Sequence, residues 1–598
     1  MSKKQKTKKK KKVHPKNKIG KPKAMRVTQM EKANIKPSVK KKPKGEMVRF
    51  CALGGLEEIG RNMMFLEYKD EILIIDMGLQ FPEDETPGID FIIPNTKYLE
   101  MKKKKIKGVI ITHGHYDHIG AIPYLLDSLG NPKIYTTELT KEVIKKRQGD
   151  FPNSPKPIFE IVKPGETHQI SKNFKTEFFG VEHNIPEGVG LLIHTPIGKV
   201  VHPGEFKFDY DKEGNPKHLE IWDKLGEQDI HTLMLDSTGS ETPGWSVSER
   251  VVEKELEKLF KKAEGRIIVS TFSSLLDRLK EIIKIAEKLN KVVAISGYSM
   301  QSNLNIAKRL GFIKTKKDTL IPLKNVNKYP DNKVMILSTG AQGEENASLM
   351  RIANGEHKSI SIKDDDTVIL SSSVVPGNEK SVQDLKDNLT RQGASIYDYK
   401  MLDIHSSGHA PQEELKTVMK KVDPKFFLPI HGFYFMRKRN ALMAQETIGL
   451  EPENTILSDN GLIVELKEDS IEITGEQVPS SYVLVDGLGV GDIGEVVLRD
   501  RRTLAEEGMV VLITTISKKN GKILKSPDII SRGFVYLKDN KGLLNKVRRK
   551  IRGIIGRIPN RQSLDMDYVK TLIQDQIGKY LYKRTKRRPM ILPVMIEV

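Results

Sequence analysis

The chain has 598 residues, 30% of them charged, a formal net charge of +22 and a single cysteine, Cys51. That length exceeds one hydrophobic core and calls for three or four structural units. One cysteine excludes an internal disulfide and any thiolate metal cluster and fits a reducing cytoplasm, and no apolar run of about 18 residues offers a membrane span.

The charge is concentrated at the start. Residues 1–45 hold 18 lysines and Arg26 against Glu31 alone, so that stretch carries +18 of the +22. It has no apolar periodicity and reads as a disordered tail, either an arm for polyanions such as RNA, ribosomes or anionic lipid, or a solubilising extension. No apolar segment follows the lysine run as a secretory signal requires.

From residue 47 short β-type runs (VRFCAL, MMFLEY, EILIIDMG, GVIITHG) alternate with charged turns and helix-like stretches, a layered α/β arrangement. Residues 113–118 read His-Gly-His-Tyr-Asp-His directly behind the apolar run Val109–Ile111. Such a strand-to-helix loop lets His113 and His115 point to one spot while Asp117 and His118 face a second, so two adjacent cations are expected. The ligands are nitrogen and oxygen without thiolate, which suits Zn²⁺ in an open catalytic site, with Mn²⁺ as the competitor. Asp76, at the tip of the run Leu73–Ile75, is placed to orient ligands from behind. His183 and Glu205 follow further apolar runs.

Residues 247–400 change to amphipathic helices alternating with apolar strands (GRIIVST, KVVAISG, KVMILSTG, DTVILSSS), which implies a parallel sheet. The hydroxyls at the strand ends, Ser270, Thr271 and Ser371–Ser373, read equally as phosphate-binding groups or as ordinary turn chemistry. Site-type residues resume in DIHSSGHAPQEE (His405, Ser407, Gly408, His409) and at His431 behind FFLPI. Ligands on both sides of a βα block imply a split catalytic domain with an inserted lid. A charged strand pair after residue 462 reads as a linker. A third unit follows, closing with the basic segment Lys583–Arg588, which reads as an RNA contact or a solvated charge run, and a final buried strand.

HGHYDH, His183 and the acid of HPGEF resemble the metallo-β-lactamase hydrolase fold, and the inserted module with SGHA resembles its β-CASP nuclease branch. GGLEEIGRNM, FPEDETPGIDFIIP, TGAQGE, RIANG, VPGNE, SGHA, SRGFVY and KRTKRRPMILP together resemble the bacterial ribonuclease J family over about residues 47–598. The resemblance implies an αββα sandwich in two parts (46–246 and 401–462), a β-CASP domain at 247–400, a linker at 463–486 and a C-terminal α/β oligomerisation domain at 487–598. It implies a cytoplasmic two-metal ribonuclease with 5′→3′ exonuclease and endonuclease activity on 5′-monophosphorylated single-stranded RNA, acting in mRNA decay and rRNA maturation. Association with ribosomes or a decay complex, and assembly as a homodimer, a homotetramer or a hetero-oligomer with a paralogue, belong to the same expectation.

Carried over by motif, His113, His115 and His183 hold one metal, Asp117, His118 and His431 the other, and Glu205 bridges them. Asp117, Asp236 and His409 are the implied catalytic residues, and His405, Ser407, Gly408 and His409 the substrate-binding ones. The chain departs from the family's usual pattern at Glu205 (PGEF for TGDF), at HNIPE, at HGFYF for HGEYR, and at Tyr298 where arginine is common. The extra methylene of Glu205 leads to a second reading, a weakly active or silent RNA-binding subunit that partners an active paralogue.

Overall fold

A computed structural model describes residues 45–82, 86–375, 377–487, 489–534, 541–558 and 565–598. The lysine-rich tail expected over 1–45 lies outside these residues, apart from Gly45.

Two sheets stack face to face. The first has eight strands, in the order Ser470–Gln477, Leu462–Lys467, Met47–Gly54, Met63–Tyr68, Glu71–Ile75, Ile106–Ile110, Ile134–Thr136 and Phe159–Ile161. The second has six, in the order Phe426–Ile430, Ile230–Asp236, Gly198–His202, Gly188–Thr195, Lys175–Val181 and Thr167–Gln169. Alternation along the strands sorts the apolar residues to opposite faces. Phe50, Leu66, Leu73 and Ile75 of the first sheet meet Phe178, Leu191, Val200 and Leu428 of the second in one buried cluster. The outer face of the first sheet (Cys51, Phe65, Ile74, Val109) packs under Ile122, Leu139 and Ile144. That of the second (Leu192, Leu233, Phe427) packs under Leu415, Met419 and Met443. The result is the four-layer αββα sandwich that the resemblance implies.

The charged segment read as a linker is not a free connection. Leu462–Lys467 pairs antiparallel with Met47–Gly54, Ser470–Gln477 extends the same sheet, and Val483–Asp486 pairs with Phe91–Ile93. Its polar residues mark a sheet edge, where one side faces solvent.

The inserted module is a six-stranded, all-parallel sheet. Its strands lie in the order Leu320–Ile321, Val292–Ser296, Val334–Ser338, Ile267–Ser270, Thr367–Leu370 and Ser395–Asp398, with helices on both faces. Such double coverage explains its continuous apolar strand runs. The hydroxyls at its strand ends are largely used internally: Ser270 donates to Ser338 O, Thr271 to Ser371 O and Ser371 to Ile404 O.

The C-terminal unit holds the sheet Asp528–Arg532, Met509–Ile516 and Met590–Glu597, backed by the helices Lys541–Gly556 and Met566–Thr585. The last strand, read as buried, is an edge strand. Ile591 faces the helices, but Leu592, Val594 and Ile596 are 43, 40 and 44% exposed.

Candidate metal centre

Most cluster residues leave the end of a strand or the turn after it, and Asp117 and His118 lie on the short helix Tyr116–Ile119 that follows such a turn. Asp76 follows Glu71–Ile75, His113 to His118 follow Ile106–Ile110, and His183 follows Lys175–Val181. Glu205 follows Gly198–His202, Asp236 ends Ile230–Asp236, and His431 follows Phe426–Ile430. Asp76 (φ 60°) and His431 (φ 53°) are left-handed, which costs about 1–2 kcal/mol at a non-glycine residue and persists only where surrounding contacts enforce it. The contacts are present. Asp76 Oδ1 accepts from Thr112 N at 2.8 Å, and Glu57 N donates to Gly432 O at 3.1 Å. Gly78 is obligatory, because a Cβ there would stand 1.5 Å from Asp117 O.

The imidazoles converge. His115 Nδ1 lies 3.1 Å from both His113 Nε2 and His183 Nε2, and Glu205 Oε2 lies 3.6 Å from His113 Nε2 and 3.3 Å from His183 Nε2. On the other side, His118 Nε2 is 3.1 Å from Glu205 Oε1 and 3.6 Å from Asp117 Oδ2. The residues thus form two groups, His113/His115/His183/Glu205 and Asp117/His118/Glu205, with the glutamate common to both. His431 stands at the edge of the second, its Nδ1 3.8 Å from Glu205 Oε1.

The remaining ring nitrogens are fixed from behind. A carboxylate and a carbonyl can only accept, so His118 Nδ1 donates to Asp76 Oδ2 at 2.8 Å and His183 Nδ1 to Gly408 O at 2.7 Å. Thr112 Oγ1, donating to Asp76, sits 3.1 Å from His113 Nδ1. Ser274 Oγ of the inserted module lies 3.1 Å from His115 Nε2. Such partners set the tautomer and orientation of a ligating imidazole.

These residues fit divalent cations on two observations. Neither ring nitrogen of His431, though buried, has a hydrogen-bond partner. Burial, with the neighbouring imidazoles, also holds His113 and His183 well below the ordinary histidine value, and burial brings His115 to about 4 and His431 to about 3. In the first group, imidazole nitrogens that disfavour protonation converge within 3.1 Å, which offers their lone pairs to a cation.

His409 is different. Burial opposes its charge, but Asp236 and Glu205 raise it to about 9. Its Nδ1 donates to Asp236 Oδ2 at 2.7 Å, and its Nε2 stands 4.0 Å from Glu205 Oε2. Asp236 is driven far below the usual carboxylate range: its burial works against this, and His409 outweighs it. Ser407 is exposed, its hydroxyl accepting from His409 N. His405 stands apart from both ligand groups. It is buried, and burial and Arg278 push it down to about 3, so it offers a neutral ring rather than a cation.

Three contributors escape sequence reasoning. Thr112 follows a strand and Ser274 sits in the turn before the helix Leu276–Lys288, both ordinary polar positions. Asn62, whose Nδ2 lies 3.0 Å from His118 Nε2 and 3.4 Å from Asp117 Oδ2, sits inside the quoted GGLEEIGRNM motif without a role. That motif is the one available signal.

A four-layer sandwich with two nitrogen and oxygen ligand groups at its strand ends, and an inserted parallel module supplying Ser274 to them, defines a metallo-β-lactamase-fold hydrolase of the β-CASP type. Family models agree segment by segment. The metallo-beta-lactamase superfamily matches residues 57–237, the beta-CASP domain of ribonuclease J 264–389, the Zn-dependent metallo-hydrolase RNA specificity domain 399–448, and the ribonuclease J C-terminal domain 496–598. The chain is 38% identical over 558 residues to Ribonuclease J 2 of Staphylococcus saprophyticus, and 37% identical to the proteins of that name in Staphylococcus epidermidis and Staphylococcus aureus. Each match covers 93% of this chain and 99% of the relative. The chain belongs to the ribonuclease J family, and with it to the metal-dependent nucleases. Among the described residues no helix is long and apolar enough to cross a membrane.

Proposed function

We propose that this chain is a two-metal ribonuclease that degrades 5′-monophosphorylated single-stranded RNA 5′→3′ and also cuts internally, in cytoplasmic mRNA decay and rRNA maturation. The observation that carries the reading is the position of Glu205, whose two oxygens reach the two ligand groups at 3.1 and 3.3 Å. A silent partner subunit would call for a carboxylate displaced from that position, and no geometry here favours it.

His113, His115 and His183 would hold one cation, Asp117, His118 and His431 the other, and Glu205 both. Zn²⁺ suits the donor set best, with Mn²⁺ the competitor. When bound, two such cations supply Lewis acidity and an acidified water for in-line phosphoryl displacement. The protein's own part is positional and protonic. Glu205 and Asp117 orient the attacking water, His409 Nε2 donates to a nonbridging phosphate oxygen or gives its proton to the departing 3′ oxygen, and Asp236 keeps His409 charged. In this reading Ser407 and the amide of Gly408 receive the 5′ phosphate.

Assembly as a dimer or tetramer is supported by the C-terminal sheet. Its outer face aligns Val511 with Ile530 and Leu592, and Ile513 with Val594, leaving an apolar surface open. The test of the function is mononucleotide release from 5′-monophosphorylated RNA with Zn²⁺ or Mn²⁺. Release by the native chain, abolished in His115→Ala, is expected. No release with either metal overturns the reading.

A further inference from the structure

The helix Lys541–Gly556, with Arg557 just beyond it, holds seven cations and no acid. Its apolar arc is consumed: Leu544, Val547, Ile551, Ile554 and Ile555 are buried in one cluster with Val569, Ile573 and Ile577 of the next helix and Val510 and Leu512 of the sheet. The opposite arc is open. Lys546, Arg549, Arg552 and Arg557 are exposed, and Gly542, Gly553 and Gly556 have no atom within 4 Å of where a Cβ would stand.

Some helix cations elsewhere in the molecule pair with acids along the same helix, as Lys258 does with Glu255, Lys284 with Glu281 and Lys579 with Asp575. Among the described residues, those four exposed cations make no such ion pair, and the helix that carries Lys546, Arg549 and Arg552 has no acid to offer.

The face has two defined edges. On one, Arg548 Nε donates to Pro527 O at 3.1 Å, and Lys522, Lys525 and Arg552 line a shallow cavity of about 400 Å³. On the other, Lys550 and Arg584 both approach the Tyr580 ring, at 5.6 and 5.9 Å. Tyr582, two residues further on and about 200° round the same helix, carries Arg588 at 4.4 Å and Lys586 at 5.7 Å from its ring centre.

We propose that this face is a second RNA-binding surface, taking the phosphate backbone of single-stranded RNA across Lys546, Arg549 and Arg552. The chemistry selects the ligand. A row of cations that make no ion pair among the described residues suits a flexible polyphosphate. A lipid surface would need the apolar arc that the core already occupies. A protein partner would need an apolar anchor, and the exposed arc of this helix has none. Choosing RNA among polyphosphates rests on the ribonuclease reading above. The consequence is a long substrate held at two places, with its distal part retained while its 5′ end is processed.

The test is the affinity of the full chain, in EDTA, for a fluorescent 30-nucleotide single-stranded RNA between 50 and 200 mM KCl. The variants are Lys546→Glu/Arg549→Glu/Arg552→Glu and the same triple change to Gln. Each lost phosphate contact lowers the slope of log K against log salt by about 0.7, so three give a drop of about 2 and roughly a tenfold or greater loss of affinity at 0.1 M. The Gln variant, which adds no repulsion, must show the same direction with an unchanged melting temperature. Unchanged affinity and slope in the Gln variant overturns the proposal. So does a loss of binding to anionic vesicles with RNA binding intact. Turnover of a tetranucleotide by the native chain reads the catalytic assignment separately: its absence sinks that assignment and leaves the 30-nucleotide binding result standing on its own.

Discussion

Asp236 Oδ2 lies 2.7 Å from His409 Nδ1, and this contact joins the end of a strand in the second sheet to the SGHA loop that follows the inserted module. Asp236 is buried beside Glu205 while His409 is part-exposed, and the two carboxylates raise the imidazole to about 9. On the proposed reading its proton serves the nonbridging phosphate oxygen or the departing 3′ oxygen, so activity is expected to fall as pH rises through that value. Asp236→Asn removes the nearest counter-charge, so the alkaline limb of the kcat profile moves down by a unit or more and the plateau drops by about 10²–10³-fold, as for loss of a positioned proton donor. A profile that falls in height and keeps its shape would assign Asp236 to structure alone.

Glu205 gives the second prediction. Its longer arm places both oxygens against the two ligand groups, so shortening it retracts the carboxylate by about 1.5 Å, one carbon–carbon bond. Glu205→Asp is expected to lower turnover about tenfold, and Glu205→Gln to lower both metal content and turnover by about 10²-fold or more. Metal analysis after gel filtration, with turnover on the same samples, checks both. A gain of activity in Glu205→Asp would make glutamate a silencing substitution.

How much of this was legible in the sequence follows from the range of each contact. HGHYDH announces itself because four ligand-type side chains fall within six residues behind a buried strand. His183, Glu205 and His431 are single residues, tied to the cluster only through the family pattern. Thr112, Ser274 and Asn62 are common polar residues whose roles exist only once Asp76, His115 and His118 have been brought to them. The strand pair Leu462–Lys467 and Ser470–Gln477 is legible locally, but its place in the sheet is not: the partner Met47–Gly54 lies about 400 residues away, and the charges of the edge strand Ser470–Gln477 suit a linker equally well. The last strand reads as uniformly apolar, and nothing local marks which of its faces lacks a neighbour.

Gly408 is the third test. Its carbonyl holds His183, and a Cβ would stand 2.6 Å from Asn184 Nδ2 and 2.7 Å from His183 Cε1. Gly408→Ala must therefore displace a ligand imidazole. Loss of about one metal per chain and at least a 10²-fold fall in turnover are expected, with a melting temperature close to native once the proteins are compared without metal. Full metal occupancy in this variant would remove His183 from the ligand set.

The fourth prediction concerns what holds the inserted module on the sandwich. Glu249 Oε1 is 2.7 Å from Lys207 Nζ and its Oε2 is 2.6 Å from Arg278 Nη2. Lys207 comes from the sandwich and Arg278 from the insert, so the carboxylate ties the two. Burial opposes its charge, but Arg278 and Lys207 overcome this and bring it from 4.5 to about 2. A folded value below the unfolded one means the stabilisation is present in full above about pH 4.5 and is lost as pH falls toward 2. The side chain is 32% exposed, so solvent screening cuts the contribution to about 2 kcal/mol at neutral pH. Glu249→Gln should show that deficit by urea unfolding at pH 7, and the gap to the native chain should narrow steadily between pH 5 and pH 3. A gap independent of pH would mean that the lost stability comes from packing and hydrogen bonding, with the carboxylate charge contributing nothing to the junction.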